Sequence, residues 1–552
     1  MYSAEPLPHF VDEYLAYLYE VHPTNATFDG VHLHDDLLED YGRQAIDAQV
    51  RTLGGLGRRL AAIDPGRLTE VERLEKPALE ASIRARLFEL EQVRTWERSP
   101  QSYAEVLATS LAGQAIFEYA PLAERARRVL SKLRQTARLM QAARENIKDP
   151  PGIFLKVGLE SLRGTLKFIN EDLPRPFANL DDLHLLGDLA DASTEAAASI
   201  ASCIDYFEQE VSPRARGSFR LGREKFSQKF ELEEGIDTGV DRLLDIAMRE
   251  LRETQEQFRR AASRLNGGDP VAAWAKAKSE HPPAGQLVAV AQQQVAELEQ
   301  FITRQGIITI PEGAPVSVAP TPRFYRWTSA SMWTPGPFEA RPLRAMYYIT
   351  DVDPSWPADR QDEHLRDFNY GALWAISIHE VFPGHFLHYQ HLRQVDSKLR
   401  KSILFSSSAF VEGWAHYCEQ MMIDEGFRRQ DPAIKLGQLA EALIRLCRAV
   451  VGIRLHCEDM SVEQAVRFFR EEAFLEEASA RREAERGTFD PSYILYSTGK
   501  LMLLKLREDY QTRLGAKYSL RTFHDTLLSN GSVPLWLHRK LMLGEETGAL
   551  IE

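Results

Sequence analysis

Seven residues in the C-terminal half of the chain combine the side chains that zinc-dependent hydrolysis needs. The segment H-E-V-F-P-G-H occupies residues 379–385 and contains two histidines, His379 and His385, with Glu380 directly after the first. A catalytic zinc ion takes three protein ligands, keeps one position open for water, and works with a carboxylate that removes a proton from that water. The segment therefore predicts a zinc site with His379 and His385 as ligands and Glu380 as the general base.

The six-residue spacing of the two histidines does not suit one straight helix. Ligands four residues apart differ by about 40° around a helix axis, whereas six residues give about 240°. Pro383 clashes with the carbonyl group four residues earlier and disfavours helical geometry at residue 382, and Gly384 relaxes the backbone. We therefore predict that the helix breaks at residues 382–384 and that the break brings His385 back toward His379.

A third ligand is expected from a helix that follows. Residues 406–419 read S-S-S-A-F-V-E-G-W-A-H-Y-C-E, in which the serines can cap a helix. Glu412, His416 and Glu419 are spaced i, i+4 and i+7 and lie on one face of that helix. A carboxylate in an apolar helix is costly unless it is paired or bound to metal. Glu412 is the predicted ligand, with Glu419 second. Glu419 is otherwise either a partner that orients a histidine or a solvated charge on the helix, and His416 is expected to form hydrogen bonds in the core.

Other residues near the segment are open to two interpretations. His388 follows His385 by three residues, so it is either a ligand or a structural partner of the site. Tyr347 and Tyr348 are candidates for substrate binding in a groove, and the alternative is that both fill the pleat of a sheet.

Apolar side chains recur at helical spacing through most of the chain. One face consists of Val240, Leu243, Leu244, Ala247, Met248 and Leu251, with charged residues between them. Similar faces run through roughly 70–95, 120–147, 190–210, 286–304, 435–456 and 494–510. The sequence therefore predicts a mainly α protein.

Residues 306–352 have a different pattern, because short β-branched or aromatic runs bounded by Pro and Gly replace the helical period. These runs are 306–311, 316–318 and 346–350, and they predict a small sheet directly before the histidine segment. Many helices, one small sheet and a metal-binding helix suit a zincin-like fold. We expect a helical N-terminal lobe over residues 1–300 and a catalytic lobe over residues 301–552.

Composition limits the partners of the chain. The 552 residues are 44% hydrophobic and 27% charged, with a net charge of −13, so nucleic acid is not an expected partner. The four cysteines are scattered without a CxxC pair, and no run of about 18 apolar residues predicts a membrane span. The first residues also lack the basic and apolar regions of a signal peptide. These features favour a cytoplasmic protein without membrane partners, and they leave the oligomeric state open.

The motifs resemble those of the bacterial family called domain of unknown function 885, whose hallmark is H-E-x-x-P-G-H followed by an E-G-W-A helix. Both occur here, at residues 379–385 and 412–415. Weaker matches are G-R-E-K-F at 222–226, S-V-E-Q-A at 461–465, Y-S-T-G-K at 496–500 and G-S-V-P-L at 531–535. The resemblance therefore covers most of the chain.

The resemblance implies a mainly helical zincin of the gluzincin type, similar to the angiotensin-converting and thimet oligopeptidase types, in which glutamate is the third zinc ligand. His379, His385 and Glu412 would then bind zinc, and Glu380 would be the base. Tyr496 would polarise the substrate carbonyl, although the sequence alone favours a buried structural tyrosine there. The expected activity is that of a metallopeptidase acting on short peptides. Its alternatives are a zinc hydrolase of another amide or ester, and a metal-binding protein that has lost turnover.

One segment departs from the family pattern. Members of the family commonly read V-D-T-G-x-H, whereas residues 451–456 of this chain read V-G-I-R-L-H. His456 is kept and is a candidate for substrate binding, but Gly452 replaces the aspartate and Arg454 replaces the glycine. If that aspartate supports the active site, substrate preference or activity should differ in this chain.

Overall fold

The chain is helical along most of its length in the computed structural model, which describes residues 6–266, 269–313, 315–322, 325–326, 328–544 and 548–552. The helices before the sheet are α1 (Leu7–Val21), α2 (Pro23–Asp29), α3 (Arg43–Ala61), α4 (Glu70–Phe88), α5 (Thr95–Arg98), α6 (Pro100–Ile116), α7 (Leu122–Asn146), α8 (Gly152–Lys167), α9 (Leu183–Tyr206), α10 (Arg223–Glu234), α11 (Val240–Asn266), α12 (Pro270–Ser279) and α13 (Leu287–Gln305). The strands are β1 (Val316–Pro320), β2 (Ala330–Trp333) and β3 (Ala345–Ile349). The helices after the sheet are α14 (Ala358–Asp367), α15 (Tyr370–Glu380), α16 (His385–Leu392), α17 (Lys398–Lys401), α18 (Ser408–Asp424), α19 (Pro432–Cys457), α20 (Val462–Glu472), α21 (Glu477–Phe489), α22 (Leu495–Leu514), α23 (Leu520–Ser529) and α24 (Leu535–Leu543).

The predicted mainly α fold is confirmed, and each predicted helical range coincides with a helix. These helices are α4, α7, α9, α11, α13, α19 and α22. Several begin where a polar side chain caps the first turn. Thr69 and Glu72 form a reciprocal capping box at the start of α4, and Asp431 accepts a hydrogen bond from the backbone of Ala433 at the start of α19.

The sheet has the strand order β1-β3-β2, with β1 parallel and β2 antiparallel to β3. The strands predicted at 316–318 and 346–350 are confirmed as β1 and β3. The strand predicted at 306–311 is wrong: Ile307 and Ile308 are buried in the core among helices, and Thr309 bonds the Asp525 carboxylate through both its backbone nitrogen (2.8 Å) and its hydroxyl (2.6 Å). The third strand is instead β2, which the sequence did not indicate.

The two faces of the sheet pack against different cores. Tyr347 lies in the largest core and is 0% exposed, with its hydroxyl group 3.2 Å from the Ser377 hydroxyl. Tyr348 points to the other face and is 5% exposed, in a core shared with Trp333 and helices α6 to α9. Because successive residues of a strand alternate between faces, the two rings fill opposite sides of the pleat. We therefore withdraw the assignment of Tyr347 and Tyr348 to substrate binding.

The largest core extends from Phe226 to Ile551, so it crosses the boundary expected at residue 300. A further core of helices α1, α3 and α4 also takes in Leu399 and Leu404 from the C-terminal half. The N-terminal helices are therefore packed against the elements that carry the histidine segment. Among the described helices, none has both the length and the apolar character that crossing a membrane requires.

Candidate metal centre

The helix break predicted between the two histidines is observed. Helix α15 ends at Glu380 and α16 begins at His385, and the Gly384 nitrogen donates a hydrogen bond to the Ile378 carbonyl (3.0 Å). A Cβ atom on Gly384 would lie 1.8 Å from the His379 carbonyl oxygen, which no side chain can tolerate. Glycine is therefore needed here because the chain folds back onto the last turn of α15.

The fold brings the three predicted ligands together. Nε2 of His379 lies 3.4 Å from Oε2 of Glu412, Nε2 of His385 lies 3.6 Å from the same oxygen, and the three ligand atoms all lie within 4.8 Å of one another. Glu412 Oε2 is buried, yet it has no hydrogen-bond partner among the described residues. Ligands of one tetrahedral zinc ion with bonds of about 2.0–2.1 Å are about 3.3 Å apart. The nitrogen, nitrogen and oxygen donors therefore fit a zinc ion.

Two glycines set the position of Glu412 on α18. A Cβ atom on Gly413 would lie 2.5 Å from the backbone of Gly499, and one on Gly499 would lie 1.9 Å from the Ala409 carbonyl oxygen. The glycines of the E-G-W-A and Y-S-T-G-K motifs thus let α18 and α22 pack backbone against backbone. Glu412 and Tyr496 lie next to this contact, each within three residues of one of the two glycines.

Glu419 contacts the predicted ligand His379 and lies outside the group of three that could hold a metal among the described residues. Its carboxylate lies 2.8 Å from Nδ1 of His379, 3.1 Å from Nδ1 of His416 and 3.0 Å from the Arg445 guanidinium. Burial disfavours the charged carboxylate, but Arg445 and the two histidines outweigh this effect and hold the pKa of Glu419 below its usual range. An ionised Glu419 accepts the Nδ1 proton of His379, which leaves Nε2 facing Glu412 as a metal ligand must.

His388 and His416 belong to the structure around the ligands. His388 is fully buried, and its Nε2 atom lies 2.7 Å from the Ser532 hydroxyl. Burial lowers the pKa of both histidines, to about 3 for His416, so both are neutral. Within the described residues neither belongs to the group of three that could hold a metal.

Glu380 has the environment of a general base. Its carboxylate is half-buried and has no hydrogen-bond or ion-pair partner among the described residues. Burial raises the pKa of Glu380, although His385 and His379 partly oppose this effect. A carboxylate with a raised pKa holds a proton more readily during a reaction, as a general base must.

Tyr496 lies over His379, the first predicted ligand. Its ring stacks on that of His379, with centroids 6.1 Å apart and 18° between the planes. Burial and the nearby Glu412 carboxylate raise the pKa of Tyr496, so the phenol keeps its proton at neutral pH. Tyr496 is therefore able to donate a hydrogen bond beside the metal ligands.

His456, predicted as a substrate contact, lies elsewhere and is 2% exposed. Its Nε2 atom lies 2.9 Å from the Gly487 carbonyl oxygen, and its Nδ1 atom accepts a hydrogen bond from the Leu221 nitrogen (3.4 Å). Both ring nitrogens are thus engaged with the backbone, and we withdraw the substrate-binding assignment.

The departure at Gly452 has a steric explanation. A Cβ atom there would lie 2.5 Å from the Ile494 side chain and 2.8 Å from the Tyr493 ring. These two residues fill the space that an aspartate side chain at position 452 would need.

Four further residues of the site were not predicted. The Trp414 indole donates a hydrogen bond to the Pro383 carbonyl (3.0 Å) and so holds the segment between the histidines. Arg445, Arg448 and Arg486 surround the Tyr496 ring. Arg445 and Arg448 stand in an otherwise apolar stretch of α19, and this pattern of charge within an apolar helix could have revealed them.

The fold and the site define a mainly α protein with a partly buried two-histidine, one-glutamate group that fits a metal ion. The chain belongs to the family described as bacterial protein of unknown function (DUF885), whose profile matches residues 23–542. Its resemblance to that family is thereby confirmed.

Two solved structures share the fold over nearly the whole chain. One is described as a "putative lipoprotein of unknown function" from Shewanella oneidensis, with 25% identity and a TM-score of 0.80, covering 98% of this chain and 100% of its own. The other, from Colwellia psychrerythraea and also called a "putative lipoprotein", has 18% identity and a TM-score of 0.78, covering 97% of this chain and 98% of its own. A comparison with curated proteins finds no match.

Proposed function

We propose that the protein is a zinc-dependent hydrolase, and specifically a metallopeptidase that cleaves short peptides. The observation that carries this proposal is the convergence of His379, His385 and Glu412 within 4.8 Å, with Glu380 directly after the first ligand. Three protein ligands leave one position of a tetrahedral ion for water or substrate, as catalytic zinc sites require. The neighbouring Glu380 carboxylate, for which the described part of the chain offers no hydrogen-bond or ion-pair partner, supports a catalytic site over a purely structural one.

Each residue has a defined task in this proposal. A bound zinc ion would supply Lewis-acid polarisation of the substrate carbonyl and would lower the pKa of a water molecule. Glu380 takes the proton of the attacking water and passes it to the leaving amine. Tyr496 donates its hydroxyl proton in a hydrogen bond to the carbonyl oxygen as negative charge develops there. Glu419 keeps the His379 ring in the tautomer and orientation that present Nε2 to the ion.

The proposal is tested by measuring metal content and turnover in the same preparations. Elemental analysis should find one zinc per chain in the wild type and strong loss in H379A, H385A and E412Q. H184A changes an exposed histidine on α9 and is the matched control, which should keep its zinc. Digestion of a peptide library, read by mass spectrometry, should show cleavage that a chelator abolishes.

Different outcomes separate the possible functions. Full zinc content in one of the three variants would remove that residue from the ligand set. Bound zinc without turnover of any peptide, amide or ester would instead favour a metal-binding protein. Turnover confined to non-peptide amides or esters would keep the hydrolase and reject the peptidase.

A further inference from the structure

Three arginines enclose the ring of Tyr496. The guanidinium carbons of Arg445, Arg448 and Arg486 lie 5.8, 5.0 and 5.8 Å from the ring centroid. Two of them come from α19 and the third from α21, so the tyrosine on α22 is held by residues of two other helices. A ring face attracts cations at such distances.

The arginines are themselves fixed by carboxylates. Arg448 forms a bidentate ion pair with Glu483 (2.6 and 2.8 Å), and Arg445 forms ion pairs with Glu419 and Glu441. Ion pairs with two contacts restrict the position and orientation of a guanidinium, so the side chains of Arg445 and Arg448 are fixed beside the tyrosine ring. Because these carboxylates balance the charges of the two arginines, the arginines do not form a free anion site.

Arg486 differs from the other two because it also reaches the hydroxyl group. Its Nη2 atom lies 3.5 Å from the Tyr496 oxygen, while Asp490 anchors the same guanidinium at 2.9 and 2.8 Å. A guanidinium has donors and no acceptor, so the tyrosine oxygen must accept this hydrogen bond. The phenol proton is therefore not used by Arg486 and is left for another acceptor.

We infer that Arg486 is a positioning residue for Tyr496. It holds the phenol oxygen by donating a hydrogen bond to it, so that the phenol proton is directed to the substrate carbonyl oxygen. This inference rests on the proposed function, since it assigns Tyr496 to the oxyanion. It predicts that Arg486 acts through one atom, the Tyr496 oxygen, and not through substrate affinity.

A double-mutant cycle tests the inference with the zinc-loaded protein. The proteins are the wild type, R486M, Y496F and the double variant, with R486K as the conservative change. R481M is the matched control, since Arg481 lies on the same helix but pairs with Glu463 and Glu477. Each protein is measured for kcat and KM on a cleaved peptide, and for its affinity for a phosphinic peptide that mimics the tetrahedral intermediate. Zinc content and thermal midpoint verify that each variant is folded and loaded.

We expect the effects of R486M and Y496F on kcat to be strongly non-additive. Y496F should lower kcat by about 10²–10³, the typical loss of an oxyanion donor. R486M should lower kcat by about tenfold or more with KM changed less than about twofold, because the interaction acts in the transition state. In the Y496F background, R486M should lower kcat by less than about twofold, because the Tyr496 oxygen that Arg486 contacts is absent. R486K should be intermediate, R481M should match the wild type, and phosphinic affinity should fall in parallel with kcat.

Three outcomes would overturn the inference. The first is an equal loss from R486M with and without the Tyr496 hydroxyl, and the second is an effect confined to KM. The third outcome is absence of phosphinic-peptide binding by the zinc-loaded wild type, because Tyr496 would then face no tetrahedral oxygen.

Failure of the proposed function gives a different result. The wild type then cleaves no peptide, and the phosphinic-peptide affinities of the same four proteins decide the role of Arg486.

Discussion

The two ring nitrogens of His379 face two different carboxylates. Nδ1 bonds Glu419, and Nε2 faces Glu412 at 3.4 Å. Burial disfavours a charged ring here, but the contacts with Glu412 and Glu419 outweigh it and raise the pKa of His379 to about 9. The same carboxylates that stabilise a proton on the His379 ring would also stabilise a metal cation bound to its Nε2 atom.

The orienting role of Glu419 leads to the first prediction. E419Q should weaken zinc binding by about 10–100-fold, because the amide no longer fixes the His379 tautomer as a carboxylate does. Affinity is measured by competition with a chromogenic chelator. E441Q is the matched control, since it also removes a carboxylate from Arg445 but leaves His379 untouched, and its affinity should stay near that of the wild type. Equal affinities of E419Q and the wild type would show that Glu419 does not orient the ligand.

The second prediction separates chemistry from metal binding. E380Q should keep its zinc, because Glu380 is not among the three converging ligand atoms, and should lose hydrolysis by about 10²–10⁴ because the general base is gone. Elemental analysis and initial rates on one peptide measure the two quantities. Turnover close to that of the wild type would remove Glu380 from the mechanism.

The break between α15 and α16 replaces the regular four-residue spacing of the two histidines in a zinc-binding helix. The Gly384 nitrogen bonds the Ile378 carbonyl, so the chain rejoins the end of α15 before α16 begins. Trp414 of α18 holds the Pro383 carbonyl within the break. The helix that carries Glu412 therefore also fixes the segment that separates the two histidines.

The third prediction concerns this break. G384A should lose most of its zinc, because the new methyl group would lie 1.8 Å from the His379 carbonyl oxygen and must push His379 and His385 apart. Elemental analysis and circular dichroism measure metal content and helix content. G164A is the matched control, since its added Cβ meets no atom within 4 Å beyond the adjacent backbone of its own helix, and alanine favours a helix interior by about 1 kcal/mol. If G384A kept full zinc, the close approach of Gly384 to the His379 carbonyl would not be required for the two histidines to bind one ion.

Much of this architecture could be predicted from local patterns. Helices such as α4 and α19 follow from apolar periodicity and caps, and the break at residues 382–384 follows from Pro and Gly chemistry. The convergence of Glu412 on the histidines was predictable as a helix-face argument, because a lone carboxylate in an apolar helix needs a partner. Each of these signals is carried by residues that are close to one another in sequence.

The rest depends on contacts between distant residues, which periodicity does not encode. Strand β2 reads A-S-M-W and lacks a β-branched run, so pairing with β3 decides its structure. Ile307 and Ile308 looked like a strand because their burial against helices gives the same apolar run. The place of Arg486 beside Tyr496 depends on how α21 packs near α22, which no local pattern reveals.

A partly buried polar network ties the loop after α2 to the segment after β2. His32 lies 2.9 Å from Asp35 and 3.1 Å from Glu339, and its ring stacks on Tyr119 at 3.7 Å. Burial disfavours the charged ring, but hydrogen bonds to Asp35 and Glu339 outweigh it and raise the pKa of His32 to about 9. The protonated histidine therefore bridges two carboxylates about 300 residues apart in sequence.

The last prediction is a pH dependence of stability that this bridge causes. The folded-state pKa of His32 lies above its ordinary value of 6.5, so the stabilisation is fully present below pH 6.5 and is lost as the pH rises through about 9. Since one pKa unit corresponds to about 1.4 kcal/mol, the coupling is on the order of 3 kcal/mol at most. The thermal midpoint of H32Q should therefore lie well below that of the wild type near pH 6, and the two should converge by about pH 10.

Differential scanning calorimetry across this range measures the gap. L33Q changes a neighbouring side chain that is 81% exposed and adds no titrating group, so its midpoint should follow the wild type at every pH. A gap between the wild type and H32Q that stayed constant from pH 6 to pH 10 would mean that His32 packs on Tyr119 without a charge-dependent bond. A gap that widened with pH would reverse the sign and exclude the protonated bridge, because only a group with a raised pKa loses its stabilisation as protons are removed.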